Sequence, residues 1–137
     1  MSEQNNQITG NVGLYYVCYL LSRYGWNAMP TSKNAEGIDL VTYKPGSNKY
    51  LGIQVKTLGK KSSVRLGKSF EKAGGDAWII VNNVEEKPQV YILTPQEVNR
   101  KIVTRLPSGE KNMNLGEYAQ PQFENIQKRM EELLKKK

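Results

Sequence analysis

The sequence predicts a single α/β domain, and three features of the chain carry that expectation. From Thr9 to Tyr24 apolar residues recur at helical spacing (Val12, Tyr15, Tyr16, Tyr19, Leu20, Tyr24), and Gly25 stands where a left-handed residue would end a helix. Ile38 to Tyr43 and Tyr50 to Thr57 flank Pro45-Gly46-Ser47-Asn48, a turn signature because proline fixes one dihedral and glycine or asparagine tolerates positive φ. The two flanking segments therefore read as an antiparallel hairpin. Ala77-Trp78-Ile79-Ile80-Val81 is a continuous apolar run of the kind found in a central strand covered on both faces.

The remaining elements follow in order. Trp26 to Pro30 is compatible with a strand that enters a polar loop from Thr31 to Gly37, and Gly59 to Gly67 reads as a basic, serine-containing loop. Lys68 to Ala73 suits a short helix that Gly74-Gly75 breaks, and Val90 to Leu93 suits a strand. Thr94, Pro95 and Glu97 then offer an N-cap, a proline at the first helical position and the acid of a capping box, starting a helix to about Val103. After a loop at Pro107-Ser108-Gly109, a last helix is expected from Pro121 to Leu134, with Phe123, Ile126, Met130, Leu133 and Leu134 on its apolar face. The order is helix, three strands, short helix, two strands, two helices. Its core spans about residues 8–95 and a helical extension about 95–137.

Length and composition bound the rest. The 137 residues fit one domain, and 38% hydrophobic with 24% charged residues is ordinary globular composition. The apolar run from Gly13 to Leu21 is too short to span a bilayer, and the polar start Met1 to Gln7 lacks the basic flank of a secretory signal, so a cytoplasmic protein without a membrane partner is expected. The lone Cys18, set among Tyr15, Tyr16, Val17, Tyr19 and Leu20, reads as a small buried hydrophobe. Histidine is absent. That removes Ser-His-Asp and Cys-His nucleophiles, histidine-ligated zinc and a histidine base, leaving carboxylates, amides, lysines and a hard cation. A net charge of +7 favours polyanionic partners.

Asp39 closes Gly37-Ile38-Asp39-Leu40, and Gln54-Val55-Lys56 lies on the hairpin's other arm. Side chains alternate along a strand, so Gln54 and Lys56 share one face, and that face would meet Asp39 across the hairpin. An anionic oxygen from Asp39, a neutral oxygen from Gln54 and the backbone carbonyl of Val55 form a donor set suited to Mg2+ or Mn2+. Such an ion polarises a phosphodiester and acidifies its bound water. Lys56 would orient the nucleophile, or act as base if burial and the metal lower its pKa, and offset charge growing on the phosphate. Lys56, Lys60, Lys61, Arg65 and Lys68 make a basic run beside this motif, and Lys33 and Asn34, with Thr31 and Ser32, a polar loop before it; both could hold a nucleic-acid backbone. No small organic cofactor is expected.

In this order, the glycine-bounded helix, Gly-Ile-Asp-Leu, the hairpin turn and Ile-Gln-Val-Lys-Thr resemble the PD-(D/E)XK nuclease superfamily, and within it the small proteins similar to Holliday junction resolvases and restriction endonucleases. The resemblance covers roughly the first 95 residues. It implies a restriction-endonuclease-like αβββαβ core, a mixed central sheet flanked by helices, with C-terminal helices added. It also implies a metal-dependent endonuclease acting on DNA, with Asp39 as the family's aspartate, Gln54 at a position usually held by glutamate or aspartate, and Lys56 as its lysine. Many relatives carry a glutamate after the glycine of the first helix, where Gly13 here precedes Leu14. Glu36 is the acid placed to compensate, with Glu3 and Asp76 as weaker candidates. The alternatives are a nucleic-acid-binding module that keeps the fold without catalysis, and an interaction subunit whose basic surface binds an acidic protein. Tyr15, Tyr16, Tyr19 and Tyr24 read as core or homodimer contacts, and Trp78 as core.

Overall fold

Helix α1 (Glu3–Arg23) begins earlier than its apolar periodicity predicts, because no proline or other breaker separates the amide-rich first turns from the apolar ones. It ends as expected. Gly25 adopts φ +90°, which lets Trp26 N–H return to the Leu21 carbonyl at 2.9 Å and Gly25 N–H to Ser22 at 3.1 Å. The computed structural model describes residues 3–32, 37–67, 74–101 and 104–137.

After α1 come β1 (Asn27–Pro30), β2 (Leu40–Tyr43), β3 (Tyr50–Thr57), β4 (Val64–Gly67), β5 (Ala77–Asn82) and β6 (Gln89–Leu93). Five of these form one sheet in the order β1-β2-β3-β5-β6. The predicted hairpin is present, with Leu40 opposite Ile53 and Tyr43 opposite Tyr50, and Gly46 supplies φ +93° at its turn. β3 and β5 run parallel, Gln54 beside Trp78 and Lys56 beside Ile80, so the sheet is mixed.

Each face of this sheet carries its own core. Leu51, Ile53, Ala77, Ile79, Val81 and Ile92 pack with Val17 and Leu21 of α1. The same core takes Ile126 and Met130 of helix α4, described below. Trp78, Ile80, Tyr91 and Leu93 face the opposite way. Every residue of β5 is buried, which is why its sequence is apolar without alternation.

The face of α1 that meets the sheet differs from the expected one. Val17 and Leu21 are buried, with Leu14, Tyr16, Cys18 and Tyr24 packed partly against them, whereas Val12, Tyr15 and Tyr19 are open to solvent. Apolar residues stand on both sides of this helix, so spacing alone could not say which stripe is inward.

Beyond β6, α2 (Pro95–Lys101) starts with the predicted capping box: Glu97 N–H donates to Thr94 Oγ1 at 3.2 Å and Thr94 N–H to Glu97 Oε1 at 2.8 Å. The C-terminal region is not simply helical. β7 (Thr104–Arg105) and β8 (Lys111–Met113) pair around the Pro107-Ser108-Gly109 turn, and β8 also pairs with β4, giving a second, three-stranded sheet. The stretch 59–67, expected to be loop, therefore holds an edge strand. These strands have few residues, and β4 finds β8 only at long range, so no local periodicity announces them.

A short helix α3 (Leu115–Tyr118) and a 3-10 turn (Pro121–Phe123) precede α4 (Ile126–Lys136). The last helix thus starts five residues later than predicted, at an Asn125 cap whose side chain accepts the Lys128 N–H. Phe123 belongs to the second core with Val64, Leu66, Val98, Met113 and Tyr118, not to the apolar face of α4. An Arg129–Glu97 ion pair ties α4 to the start of α2. The expected helix at 68–73 and the end of the helix expected to reach Val103 lie outside the described residues.

Candidate active site

β3 is central to the sheet and is held tightly from the α1 side. A Cβ built on Gly13 would lie 1.8 Å from Thr57 Oγ1, so only glycine lets α1 settle against the end of the strand. Next on α1, Leu14 packs against the first core, so the position where a glutamate would be expected is apolar and partly buried.

On the other face, alternation places Gln54 and Lys56 with Trp78, while Val55 packs toward the first core. Asp39 stands one residue before β2, whose pairing with β3 starts at Leu40 opposite Ile53. Its backbone is fixed on both sides: its N–H donates to the Ile53 carbonyl at 2.9 Å and its carbonyl accepts the Thr31 N–H at 3.0 Å. Its side chain reaches β3, where Oδ2 accepts the Val55 N–H at 2.7 Å. A charged acceptor at this length makes a strong bond and orients the carboxylate on the strand that carries Gln54 and Lys56. An antiparallel residue presents its N–H and carbonyl to the same neighbour, so the Val55 carbonyl faces the Asp39 side as well.

Gln54 Oε1 is buried and has no hydrogen-bond partner among the described residues. Leaving such an acceptor unpaired costs about 1–3 kcal/mol, so the site favours a cation or donor that would engage it. Lys56 Nζ stands 5.8 Å from the centroid of the Trp78 ring, a cation–π distance. Trp78, read from the sequence as core alone, thus also supports the site's lysine. The uniformly apolar run of β5 gave no signal for this, and only the parallel register shows which residues Trp78 meets.

The Asp39 carboxylate is therefore bonded to β3 at Val55, between the neighbouring positions Gln54 and Lys56. The other candidates do not all join them. Lys60 and Lys61 are exposed just beyond the end of β3, and Arg65 lies on β4, where it faces Glu110 at 3.7 Å. Asp76 is committed elsewhere, its Oδ2 accepting Gly52 N–H at 2.8 Å and pairing with Lys137 at 3.1 Å. Lys33, Asn34, Glu36 and Lys68 lie outside the described residues, as does the side chain of Glu3. Among the described residues no group of three or more histidine, cysteine, aspartate or glutamate side chains gathers. The donors of Asp39, Gln54 and Val55, one carboxylate and neutral carbonyl oxygens, fit a hard divalent cation that keeps several waters.

A cleft of about 670 Å³ lies away from these residues, between the start of α2 and the end of α4. Arg100, Arg129, Lys136 and Lys137 line it together with Asp76, Glu97 and Glu132, so its side-chain charges largely offset one another. Cys18 is half-buried and burial raises its thiol pKa, which keeps it protonated and unreactive. No described helix is long and apolar enough to cross a membrane.

No protein-family model and no curated protein matches the chain. Among solved structures, the chain is similar to a Holliday junction resolvase from the archaeal hyperthermophile Archaeoglobus fulgidus, with a TM-score of 0.57 over 80% of this chain and 87% of that one. The chain has the restriction-endonuclease-like fold. Sequence identity to the resolvase is 13%, so the likeness is one of architecture. In this restriction-endonuclease-like sheet, the hairpin and the parallel partner β5 are the elements that position Asp39, Gln54 and Lys56.

Proposed function

We propose that the protein is a metal-dependent endonuclease acting on DNA, with Asp39, Gln54 and the Val55 carbonyl holding Mg2+ or Mn2+ and Lys56 assisting the nucleophile. The observation that carries this reading is the Asp39 carboxylate bonded to the Val55 N–H, next in the chain to Gln54, whose buried side-chain oxygen has no partner among the described residues. A divalent ion in such a site supplies Lewis acidity toward the phosphate and lowers the pKa of a bound water. The protein's own contribution is positional. Asp39 is oriented by its bond to β3, and Lys56 is held on the same face by the Trp78 ring, from which its ammonium can meet charge developing on a phosphate. Exposed Lys60, Lys61 and Arg65 would track the DNA backbone, and Lys33, Asn34 and Lys68 are assigned the same role from sequence.

Purified protein incubated with manganese and supercoiled, linear, branched or single-stranded DNA should cleave at least one of these forms. Asp39→Ala and Lys56→Ala should abolish the cut. Cleavage that persists in both variants would sink the assignment.

One observation favours a second reading, a nucleic-acid-binding module without catalysis. Leu14 is part of the core and Gln54 is neutral, so of Leu14, Asp39, Gln54 and Lys56 only Asp39 supplies an anionic charge. Under this reading the protein binds DNA at low salt, shows no heat of manganese binding, and retains its DNA affinity in Asp39→Ala.

A further inference from the structure

Side chains alternate along β3, so Leu51 and Ile53, packed in the first core, leave Tyr50, Gly52, Gln54 and Lys56 on the opposite face. On β2, Leu40 and Thr42 are buried, which puts Val41 and Tyr43 on that same opposite face, Val41 across from Gly52 and Tyr43 across from Tyr50. Asn27 and Met29 of β1 continue it, paired with Tyr43 and Val41. The face of β3 that carries Gln54 and Lys56 therefore extends, toward the hairpin turn, into a strip of uncharged residues.

Two members of this strip form an aromatic platform. The Tyr43 and Tyr50 rings stand 5.0 Å apart between centroids at 49°, and Tyr43 is held from its other side by Asn27 Nδ2, which donates to its hydroxyl at 2.8 Å. Such a cross-strand pair stabilises any hairpin, yet Tyr50 remains 49% exposed. Ile38 fills the space over Gly52, its atoms 3.0–3.4 Å from the point a Cβ would occupy, so an apolar group stands between Tyr50 and Gln54. Along the strand those two residues are about 13 Å apart at ~3.3 Å per residue, which is the rise of about four nucleotides at ~3.4 Å each. The cations lie beside the platform, not on it: Lys49 is exposed and next in the chain, and Lys137 Nζ donates to the Tyr50 carbonyl at 2.5 Å.

This chemistry selects the occupant. Paired DNA presents phosphates and groove edges, which call for charged or hydrogen-bonding groups on the contact face. An unpaired base presents a flat π-face, which stacks on an aromatic ring whatever its sequence, while neighbouring cations meet the backbone. We propose that Tyr50, backed by Tyr43, is a stacking site for an unpaired base of the DNA strand whose phosphate lies at Asp39, Gln54 and Lys56. The inference rests on the DNA reading given above and adds to it a preference for strands with an unpaired base within about four nucleotides of the candidate site.

Fluorescence anisotropy at low salt, with a labelled single strand and with the same strand annealed to its complement, tests this. Tyr50→Leu should weaken single-strand binding roughly ten-fold, the loss of one base–aromatic stack, and leave duplex binding unchanged. The unchanged duplex affinity also shows that the variant is folded. Tyr50→Phe, which keeps the ring, should bind both forms as the wild type does. A fluorescent adenine analogue in the single strand should be quenched by the wild type and by Tyr50→Phe, and not by Tyr50→Leu. A wild-type chain that binds neither form overturns the DNA reading and this inference with it. If Tyr50→Leu weakens both forms equally, or neither, the stacking site is overturned and the DNA reading stands.

Discussion

Gly13 and Thr57 meet so closely that a methyl group on the glycine would fall 1.8 Å from the threonine hydroxyl and 2.7 Å from its Cβ. This contact brings α1 onto the strand whose preceding residues are the candidate site. Gly10, one turn earlier on the same helix, has nothing within 4 Å of the corresponding point. Gly10→Ala should therefore stabilise the protein by roughly 0.5–1 kcal/mol through helix propensity. Gly13→Ala should instead destabilise it by about 1–3 kcal/mol, since helix and strand must separate. Urea midpoints of the two variants, measured side by side, separate the effects by sign.

Asp39 has a structural duty besides any ligand role, because it accepts the Val55 N–H. Asp39→Asn keeps a carbonyl oxygen for that bond and should fold with nearly wild-type stability while losing divalent-cation binding. Asp39→Ala loses both, leaving a backbone donor on β3 unpaired at a cost of about 1–3 kcal/mol. Calorimetric titration with manganese and thermal melts of both variants test this. Equal melting temperatures for the alanine and asparagine forms would show that the bond contributes nothing.

Gln54→Glu places a second carboxylate on the face of β3 nearest Asp39. Without metal the two like charges should lower the melting temperature, and the raised affinity for manganese should more than restore it when the ion is added. The quantity to compare is the metal-induced shift in melting temperature, expected to be larger in Gln54→Glu than in wild type. A smaller shift would place the cation elsewhere.

Tyr118 is fully buried; its hydroxyl donates to the Ser62 carbonyl at 2.5 Å and accepts from Asn82 Nδ2 at 3.2 Å. Burial pushes its pKa above the ordinary value of 10.0, against a smaller opposing effect from the Asn82 bond and with a still smaller upward contribution from the charge of the Tyr91 hydroxyl. A pKa raised on folding means that the native state holds the proton more tightly. The stabilisation is complete below pH 10 and is lost as pH rises toward the folded value. Tyr118→Phe should cost about 1–3 kcal/mol at neutral pH by unpairing Asn82 and Ser62, and the gap to wild type should narrow at alkaline pH. Denaturant midpoints at neutral pH and above pH 10 report both effects.

The main sheet was legible because its signals are local. Pro45-Gly46 set the hairpin, the alternation of Gln54 and Lys56 set their shared face, and the apolar run at Ala77 to Val81 announced a strand buried on both sides. The capping box at Thr94 and Glu97 was equally readable. The second sheet was not, since β4, β7 and β8 are short and owe their existence to pairing between residues 64–67 and 111–113. The inward stripe of α1 was also hidden, because a helix apolar on two sides does not reveal which side finds the sheet.

For the site, the sequence by itself determined the inventory: one aspartate, one glutamine and one lysine on the arms of a hairpin, with no histidine to offer another chemistry. Only the tertiary structure decided how they are arranged. It bonds Asp39 to Val55, leaves Gln54 Oε1 buried without a partner among the described residues, and sets Lys56 over Trp78. Spacing along a strand specifies which side chains share a face, a local property of the backbone. Which groups meet there depends on the pairing of β3 with β2 and β5, which joins segments far apart in the chain.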